Sequence, residues 1–148
     1  MKDKTKSSFI DVSPDTRVRM QAVKRHNTNP EIRVRRLLHS LGYRFRLHCK
    51  DLPSRPDIVL PRHRKVILVH GCFWHGHEQC RRAKIPINNA ETWRLKMASN
   101  RLRDIRNADE LCKLGWEVLA VWECEVQDQM RLKKRLLDFL QADSTRLR

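Results

Sequence analysis

The sequence predicts an α/β domain with a central mixed β-sheet flanked by helices. Short runs of β-branched and apolar residues at 58–60 and 66–69 are typical of buried strands. Apolar residues recur at helical spacing near 34–41, 102–112 and 132–140. The resulting order of helix, strands, long helix, strand and helix favours one sheet covered by helices.

The first helix is predicted to begin at Asn29 and to end at Gly42. Asparagine is a good N-cap, Pro30 suits the first turn, and Glu31 interacts favourably with the positive end of the helix dipole. Its predicted apolar face consists of Val34, Leu37, Leu38 and Leu41. Residues 43–47 alternate aromatic or apolar residues with arginine, which predicts a half-buried strand.

Two central strands are predicted at 58–60 and 66–69, joined by the basic turn 61–64. Residues 90–114 contain no proline or glycine and predict a long helix that Gly115 closes. The apolar positions assigned to this helix are Leu102, Ile105, Ala108 and Cys112. A buried strand is expected at 116–122, with Trp116 and Trp122 in the core. The last amphipathic helix is marked by Leu132, Leu136, Phe139 and Leu140.

The composition of the 148-residue chain favours one folded domain, because 40% of its residues are hydrophobic. Residues 1–13 are polar and rich in Lys and Ser, which predicts a flexible basic N-terminal arm. Residues 14–148 are then a single domain. No Gly-rich phosphate loop and no Ser-His-Asp pattern stands out in the sequence.

The charge indicates a polyanionic partner. With 32 Lys and Arg against 17 Asp and Glu, the net charge is +15 and the pI is about 10.4, so nucleic acid is the expected partner. We expect no membrane association and a cytoplasmic location, because the chain has neither a spanning apolar run nor a signal-peptide pattern. In a reducing compartment, its five cysteines are available for metal binding.

Four potential metal ligands form one arrangement. Cys72, His77 and Cys80 lie within nine residues, and Cys124 follows on a distant segment that resembles a strand. A Cys3His set fills a tetrahedral zinc site, leaves no position for substrate water and is therefore expected to be structural. The spacing alone also allows His75 as the ligand in place of His77.

Asp57 and the end of the next predicted strand suggest a second metal site. A hairpin would bring the Asp57 carboxylate close to the main-chain carbonyl of Val69, and both are oxygen ligands suited to Mg²⁺. His70 and His75 are candidates for taking a proton from the attacking water. The alternative is structural, with Asp57 capping a turn and His70 packed at the strand end.

Several motifs closely resemble those of the very short patch repair endonucleases. They are Arg55-Pro56-Asp57, the stretch His-Gly-Cys-Phe-Trp-His-Gly-His at 70–77, Trp93, and Val-Trp-Glu-Cys at 121–124. The resemblance runs from about residue 17 to residue 124. It implies a restriction-endonuclease-like fold with a structural zinc site, and a single endonuclease domain at 14–148. It also implies an enzyme that binds duplex DNA with a T:G mismatch left by deamination of 5-methylcytosine and nicks it 5′ of the T.

The same resemblance implies roles for individual residues. Asp57 and the main-chain oxygen of Val69 would hold the catalytic Mg²⁺, and His75 would act as the general base. His70 would assist at the scissile phosphate, and Glu31 would support the network of magnesium-bound water and histidine. The implied zinc ligands are Cys72, His77, Cys80 and Cys124. The residues expected to wedge into DNA beside the mismatch are Phe73, Trp74 and Trp93.

The implied partners are mismatch-recognition and resynthesis proteins, with a functional link to a cytosine-5 DNA methyltransferase. The chain would work as a monomer at the nucleoid. Three positions depart from the family pattern: Ser54 stands where glycine is common, Val69 replaces a threonine, and one extra residue separates His77 from Cys80. Two alternative functions remain: a DNA-binding module that has lost cleavage, and a restriction or mobile-element nuclease with another target.

Overall fold

A computed structural model describes residues 13–14 and 27–142 of the chain. Apart from Ser13, the predicted basic arm at 1–13 lies outside the described residues, and so does the tail after residue 142. Among the described helices, none is long and apolar enough to cross a membrane.

The described residues form a four-stranded mixed sheet, as predicted, in the order β1-β2-β3-β4. The first two strands pair antiparallel with their sequence neighbours, whereas β3 and β4 run parallel. The strands are β1 (Arg46–Leu47), β2 (Ile58–Leu60), β3 (Lys65–His70) and β4 (Glu117–Trp122). The predicted central pair, β2 and β3, is confirmed, and so is the turn between them, a 3-10 turn at Pro61–His63.

The strand predicted at 43–47 is shorter than expected, because only Arg46 and Leu47 pair with β2. Tyr43 and Phe45 are still half-buried against the core. Since Arg46 pairs with Val59, an extended ladder would soon reach Pro61, which has no backbone N–H to donate. The predicted alternation of side chains therefore holds at Tyr43 and Phe45 but not at Leu47, which is 40% exposed, and the backbone pairing stops early.

Helix α1 (Asn29–Ser40) confirms the predicted helix but changes its cap. The N-cap is Thr28, whose side-chain oxygen accepts a hydrogen bond from the backbone N–H of Glu31 at 3.4 Å. Asn29 is already the first helical residue, so its assignment as the cap was wrong by one position. Gly42 follows the helix with a φ of +85°, the left-handed conformation that glycine adopts without strain.

Helix α2 (Ala90–Lys113) confirms the long helix, but the predicted buried face is wrong. Leu102 and Ile105 are 61% and 66% exposed, and Cys112 is also exposed. The face turned toward the sheet repeats every three or four residues and consists of Trp93, Met97, Asn100, Asp104, Asn107 and Leu111. Its three central members are polar, so an apolar pattern could not identify it.

Two further helices follow β4 in the described part of the chain. Cys124 lies in the four-residue helix α3 (Glu123–Val126), which follows β4. The prediction that Cys124 lies on a strand-like segment was therefore wrong. Helix α4 (Gln129–Gln141) confirms the last amphipathic helix, and its buried residues are Leu132, Leu136 and Leu140.

The two faces of the sheet carry separate cores. Residues of α1 and α4 pack with alternate strand residues in a cluster that includes Val34, Ile67, Val121 and Leu136. The opposite face has a smaller cluster of Val59, Val66, Leu111 and Trp116. Trp116 is 9% exposed, which confirms its predicted core position.

A buried lysine ties the last helix to the sheet. The side chain of Lys65 is 2% exposed, and its Nζ donates to the carbonyl oxygens of Phe139 and Ala142, the latter at 2.8 Å. Glu117 lies 3.6 Å from the same ammonium group. The charge is thus buried with several acceptors, which is the condition under which a buried lysine is tolerated.

Candidate active site

A cavity of about 1170 Å³ opens beside the C-terminal end of β3 and the N-terminal end of α1. It is lined by all five residues that were assigned catalytic or magnesium-binding roles: Glu31, Asp57, Val69, His70 and His75. Helix α2 closes the other side with its polar face, Lys96, Asn100, Arg103, Asp104 and Asn107. The polar centre of α2 thus faces this cavity instead of a hydrophobic core.

The Asp57 carboxylate lies where a cation would be stabilised. Its Oδ2 accepts a hydrogen bond from the backbone N–H of Val69 at 2.8 Å, so the strand pair brings the two residues together, through the N–H of Val69, whereas the predicted Mg²⁺ ligand is its carbonyl oxygen. Burial raises the pKa of Asp57 from 3.8 to about 6, and the negative charge of Glu31 acts in the same direction. A divalent cation would compensate both effects, and the donor set therefore fits Mg²⁺.

Glu31 is the centre of a polar network at the start of α1. It is 2% exposed, and its Oε2 accepts hydrogen bonds from the Asn27 backbone N–H at 2.9 Å and from Arg35 Nη2 at 3.0 Å. His48 Nε2 lies 3.8 Å from the same oxygen. Arg35 and His48 were not predicted from the sequence, although the i,i+4 spacing of Glu31 and Arg35 was a signal for Arg35.

His75 is paired with a carboxylate that the sequence analysis did not identify. Its Nδ1 lies 2.6 Å from Oδ2 of Asp104, which comes from the middle of α2. A carboxylate on one ring nitrogen fixes the orientation of an imidazole and stabilises its protonated form. The only sequence signal for Asp104 was its place on one helical face with Asn100 and Asn107.

His70 lies directly against His75. The two rings are stacked, with centroids 4.1 Å apart and planes 4° from parallel. Burial, together with the charge of His75, lowers the pKa of His70 to about 4, so its imidazole is neutral near pH 7. Among the described residues, its buried Nδ1 has no hydrogen-bond partner.

The four predicted zinc ligands also come together. One potential ligand atom from each of Cys72, His77, Cys80 and Cys124 lies within 4.8 Å of the others. Cys124 Sγ is 3.5 Å from His77 Nδ1, and the Cys124 backbone N–H donates to Cys72 Sγ at 3.4 Å. His77 therefore lies with the three cysteines, while His75 faces Asp104, which favours His77 as the fourth ligand. The set fits a closed tetrahedral zinc site.

The surroundings support metal binding at this cluster. Burial raises the pKa of the Cys72 thiol to about 12, so this sulfur needs a cation beside it to become a thiolate near pH 7. Trp122 stacks on the ring of His77, with centroids 4.1 Å apart and planes 8° from parallel. Trp122 is only half-buried, so the expected core position describes it incompletely.

The three predicted wedge residues form one aromatic cluster. Phe73 lies 5.2 Å from Trp74 and 5.0 Å from Trp93 between ring centroids, and all three pairs meet edge to face. Trp93 is 7% exposed, whereas Phe73 and Trp74 are half-buried. Asn100 Nδ2 donates to the Trp74 carbonyl at 2.7 Å, which fixes the cluster to the polar face of α2.

One departure from the family pattern has a visible structural consequence. Ser54 and Arg55 have φ values of +64° and +48° and line the cavity just before Asp57. This left-handed conformation is disfavoured for residues with a Cβ, which explains a preference for glycine at position 54.

The fold is similar to that of a solved nuclease domain. The catalytic domain of homing endonuclease I-Bth0305I aligns with a TM-score of 0.52, covering 76% of this chain and 94% of that domain. At 20% sequence identity the likeness establishes the fold alone. The fold is restriction-endonuclease-like, as expected.

Sequence relatives define the family more narrowly. A family model described as DNA mismatch endonuclease Vsr matches residues 11–82. The DNA mismatch endonuclease Vsr of Escherichia coli K12 is 41% identical over 118 residues, covering 80% of this chain and 75% of the relative. The type II nicking enzyme V.XorIIP of Xanthomonas oryzae pv. oryzae is 51% identical over 130 residues, covering 87% and 95%. The chain therefore belongs to the Vsr family of DNA mismatch endonucleases, and the predicted resemblance is confirmed.

Proposed function

We propose that this chain is a magnesium-dependent endonuclease that nicks duplex DNA 5′ of the T in a T:G mismatch and so begins very short patch repair. The observation that carries the proposal is the shared cavity, in which Glu31, Asp57, Val69, His70 and His75 meet beside the aromatic cluster. Family membership and the names of relatives, which include nicking enzymes, support a cut in one strand.

The cavity offers a hydrolytic mechanism. Asp57 and the main-chain oxygen of Val69 would hold Mg²⁺, which polarises a phosphodiester and stabilises negative charge on it when bound. His75 takes a proton from the attacking water through Nε2, because Nδ1 is engaged by Asp104 at 2.6 Å. Asp104 stabilises the imidazolium that results.

The remaining residues of the cavity position these groups. His70, neutral near pH 7, offers an uncharged ring N–H to a phosphate oxygen and packs against His75 to restrain its ring. Glu31 keeps a negative charge next to Asp57, which favours a cation between them, and Arg35 and Asn27 hold that carboxylate in place.

The Cys3His cluster would hold a structural Zn²⁺ through Cys72, His77, Cys80 and Cys124. The loop between the first two ligands contains Phe73, Trp74 and His75. Fixing this loop positions the wedge and the general base together. The zinc would thereby support activity by holding this loop in place. Its four protein ligands would leave no coordination position for substrate.

Mismatch recognition follows from the aromatic cluster. Inserting Phe73, Trp74 and Trp93 between base steps costs a few kcal/mol of stacking, and the cost is smaller at a mispaired base. The wedge therefore favours a T:G mismatch over a matched pair. The net charge of +15, including the arginines of α2, supplies contacts to phosphates that do not depend on sequence.

The cellular setting follows from the proposed lesion. A cytosine-5 DNA methyltransferase creates the 5-methylcytosine whose deamination leaves T:G, so we expect a functional link to such an enzyme. The protein would act as a monomer on nucleoid DNA in the cytoplasm and cooperate with mismatch-recognition and resynthesis proteins. Residues 14–148 would form its endonuclease domain, with 1–13 as a flexible arm along the phosphate backbone.

The proposal is tested by strand-resolved nicking of labelled duplexes that carry T:G, T:A or C:G at one position in several flanking contexts. We expect a single cut 5′ of the mismatched T that requires added Mg²⁺. Cleavage of the matched duplexes would instead identify a restriction-type nuclease. Tight binding of T:G DNA without any cleavage would identify a binding module.

A further inference from the structure

A second group of metal-binding side chains lies within the cavity, apart from the Cys3His cluster. His70, His75 and Asp104 each offer one ligand atom, and these atoms lie within 4.8 Å of one another. We propose that these three residues bind one transition-metal ion, such as Zn²⁺, and that this ion inhibits the enzyme by occupying His75. The inhibitory part rests on the proposed role of His75, whereas the binding part does not.

The donor types select the metal. Two imidazoles and one carboxylate form a common ligand set for Zn²⁺ and other first-row transition ions, and they leave further positions for water or phosphate oxygen. Mg²⁺ prefers oxygen ligands, so the magnesium ligands assigned above, Asp57 and Val69, remain separate. One cavity thus contains an oxygen site for Mg²⁺ and a nitrogen-rich site for a transition ion.

The pair formed by His75 and Asp104 supplies two of the three ligands. Their Nδ1 and Oδ2 atoms are 2.6 Å apart and share one proton. A divalent ion can replace that proton, with the two atoms moving apart to about 3.3 Å in tetrahedral geometry. The proton is released to solvent, and the ion forms one bond to nitrogen and one to oxygen.

His70 supplies the third ligand and an independent reason to expect one. The residue is 8% exposed, and its Nδ1 has no hydrogen-bond partner within the part of the chain that the structure describes. A buried polar nitrogen without a partner is costly, and an ion that binds His70 through Nδ1 would satisfy it. The two rings are parallel at 4.1 Å, so they must tilt before their lone pairs point at a common ion, and the broad χ2 torsion of histidine is the rotation that would tilt them.

The consequence for activity is direct. An ion bound to Nδ1 of His75 separates the ring from Asp104. The ring then lacks the carboxylate that would stabilise it after it accepts a proton. Excess Zn²⁺ is therefore expected to reduce nicking at a fixed Mg²⁺ concentration. Because Zn²⁺ already fills the Cys3His cluster in the proposed holoenzyme, the inhibitory ion is a second one per chain.

Metal content measured after equilibrium dialysis against Zn²⁺ tests the binding part. We expect two zinc ions per wild-type chain and one per chain for His70→Gln and for Asp104→Asn, while the exposed His39→Gln control keeps two. Co²⁺ added to protein with one zinc should give visible absorption bands without thiolate charge transfer. One zinc per wild-type chain, or two in both site variants, would overturn the proposal.

A nicking assay tests the inhibitory part with the same preparations. In wild-type protein, the loss of nicking should follow occupancy of the second zinc and should reverse when that ion alone is removed by dialysis. Full nicking with two zinc ions bound would refute inhibition. If the chain nicks no DNA under any condition, the proposed function fails, but the metal content still decides the site.

Discussion

The buried position of Asp57 disfavours its negative charge. The carboxylate proposed to bind Mg²⁺ therefore lowers the stability of the folded protein. Burial raises its pKa from 3.8 in the ordinary range to about 6 in the folded protein. The folded state therefore favours the protonated form. The resulting destabilisation is absent below pH 4, where both states are protonated, and complete above pH 6.

Asp57→Asn should therefore stabilise the protein at pH 8 in buffer without magnesium, by about 1–3 kcal/mol after allowance for solvent screening. Urea denaturation of the two proteins between pH 4 and pH 8 measures this difference. We expect the difference to grow as the pH rises through the pKa of Asp57. A variant that is less stable at pH 8, or a difference independent of pH, would show that Asp57 has a structural role.

Asp104 is expected to act through His75. Asp104→Asn should lower the single-turnover nicking rate by about 10²–10⁴-fold, because the base loses its carboxylate partner. Binding of T:G DNA should change little, and the pH profile of the nicking rate should differ from that of wild type. Asp109→Asn, on the exposed side of the same helix, is the matched control. An equal loss of nicking rate in both variants would show that Asp104 acts only by stabilising helix α2.

Residues with a distinctive local motif were predictable from the sequence, and residues recruited from a helix face were not. Asp57, His75 and the four proposed zinc ligands lie in short motifs, and the structure brings the four proposed zinc ligands together in one cluster. Asp104 lies among many charged residues of α2, and only its tertiary contact with His75 distinguishes it from a solvated side chain. A single sequence does not encode that distinction locally.

At the scale of elements, helix α2 explains where the sequence pattern failed. The helix length followed from the absence of proline and glycine, and its bounds agree with the prediction. The buried face did not follow, because Asn100, Asp104 and Asn107 replace apolar residues exactly where the helix borders the cavity. Function thus takes positions that an amphipathic pattern would assign to the core.

The C-terminal end of helix α4 is held by one buried lysine of β3, Lys65. Lys65→Met removes the donors for the carbonyls of Phe139 and Ala142 and should reduce the free energy of unfolding by about 2–3 kcal/mol. Urea denaturation measures the loss. Lys133→Met, at an exposed position of the same helix, should change stability little. Equal stability of wild type and Lys65→Met would contradict the role of Lys65 as a cap.

At the scale of the whole molecule, the excess of basic residues predicts how strongly salt affects binding. The logarithm of the affinity for duplex DNA should fall with the logarithm of salt concentration, with a slope of about −0.9 per phosphate contacted. Fluorescence anisotropy with T:G and matched duplexes at several salt concentrations measures both slopes. If the two duplexes give similar salt slopes but affinities that differ by a constant factor, phosphate contacts provide the salt dependence and mismatch recognition provides the difference in affinity. A flat response would contradict the electrostatic account.

The architecture of the molecule places the proposed Mg²⁺ ligands, the proposed general base and Trp74 of the proposed wedge around a single cavity. Sequence patterns predicted the mixed sheet, because its central strands are short, apolar and bounded by turn residues. They did not predict that β1 has only two residues or that Cys124 lies on a helix. Those details depend on where neighbouring segments end.

The most direct test of the central claim is the single-turnover nicking rate of preformed T:G complexes during Mg²⁺ titration, for wild type and Asp57→Asn. The account predicts a saturable, magnesium-dependent cut 5′ of the T in wild type, and no cut in the variant despite retained mismatch binding. Nicking by wild type without added divalent metal, or a normal rate in Asp57→Asn, would contradict it.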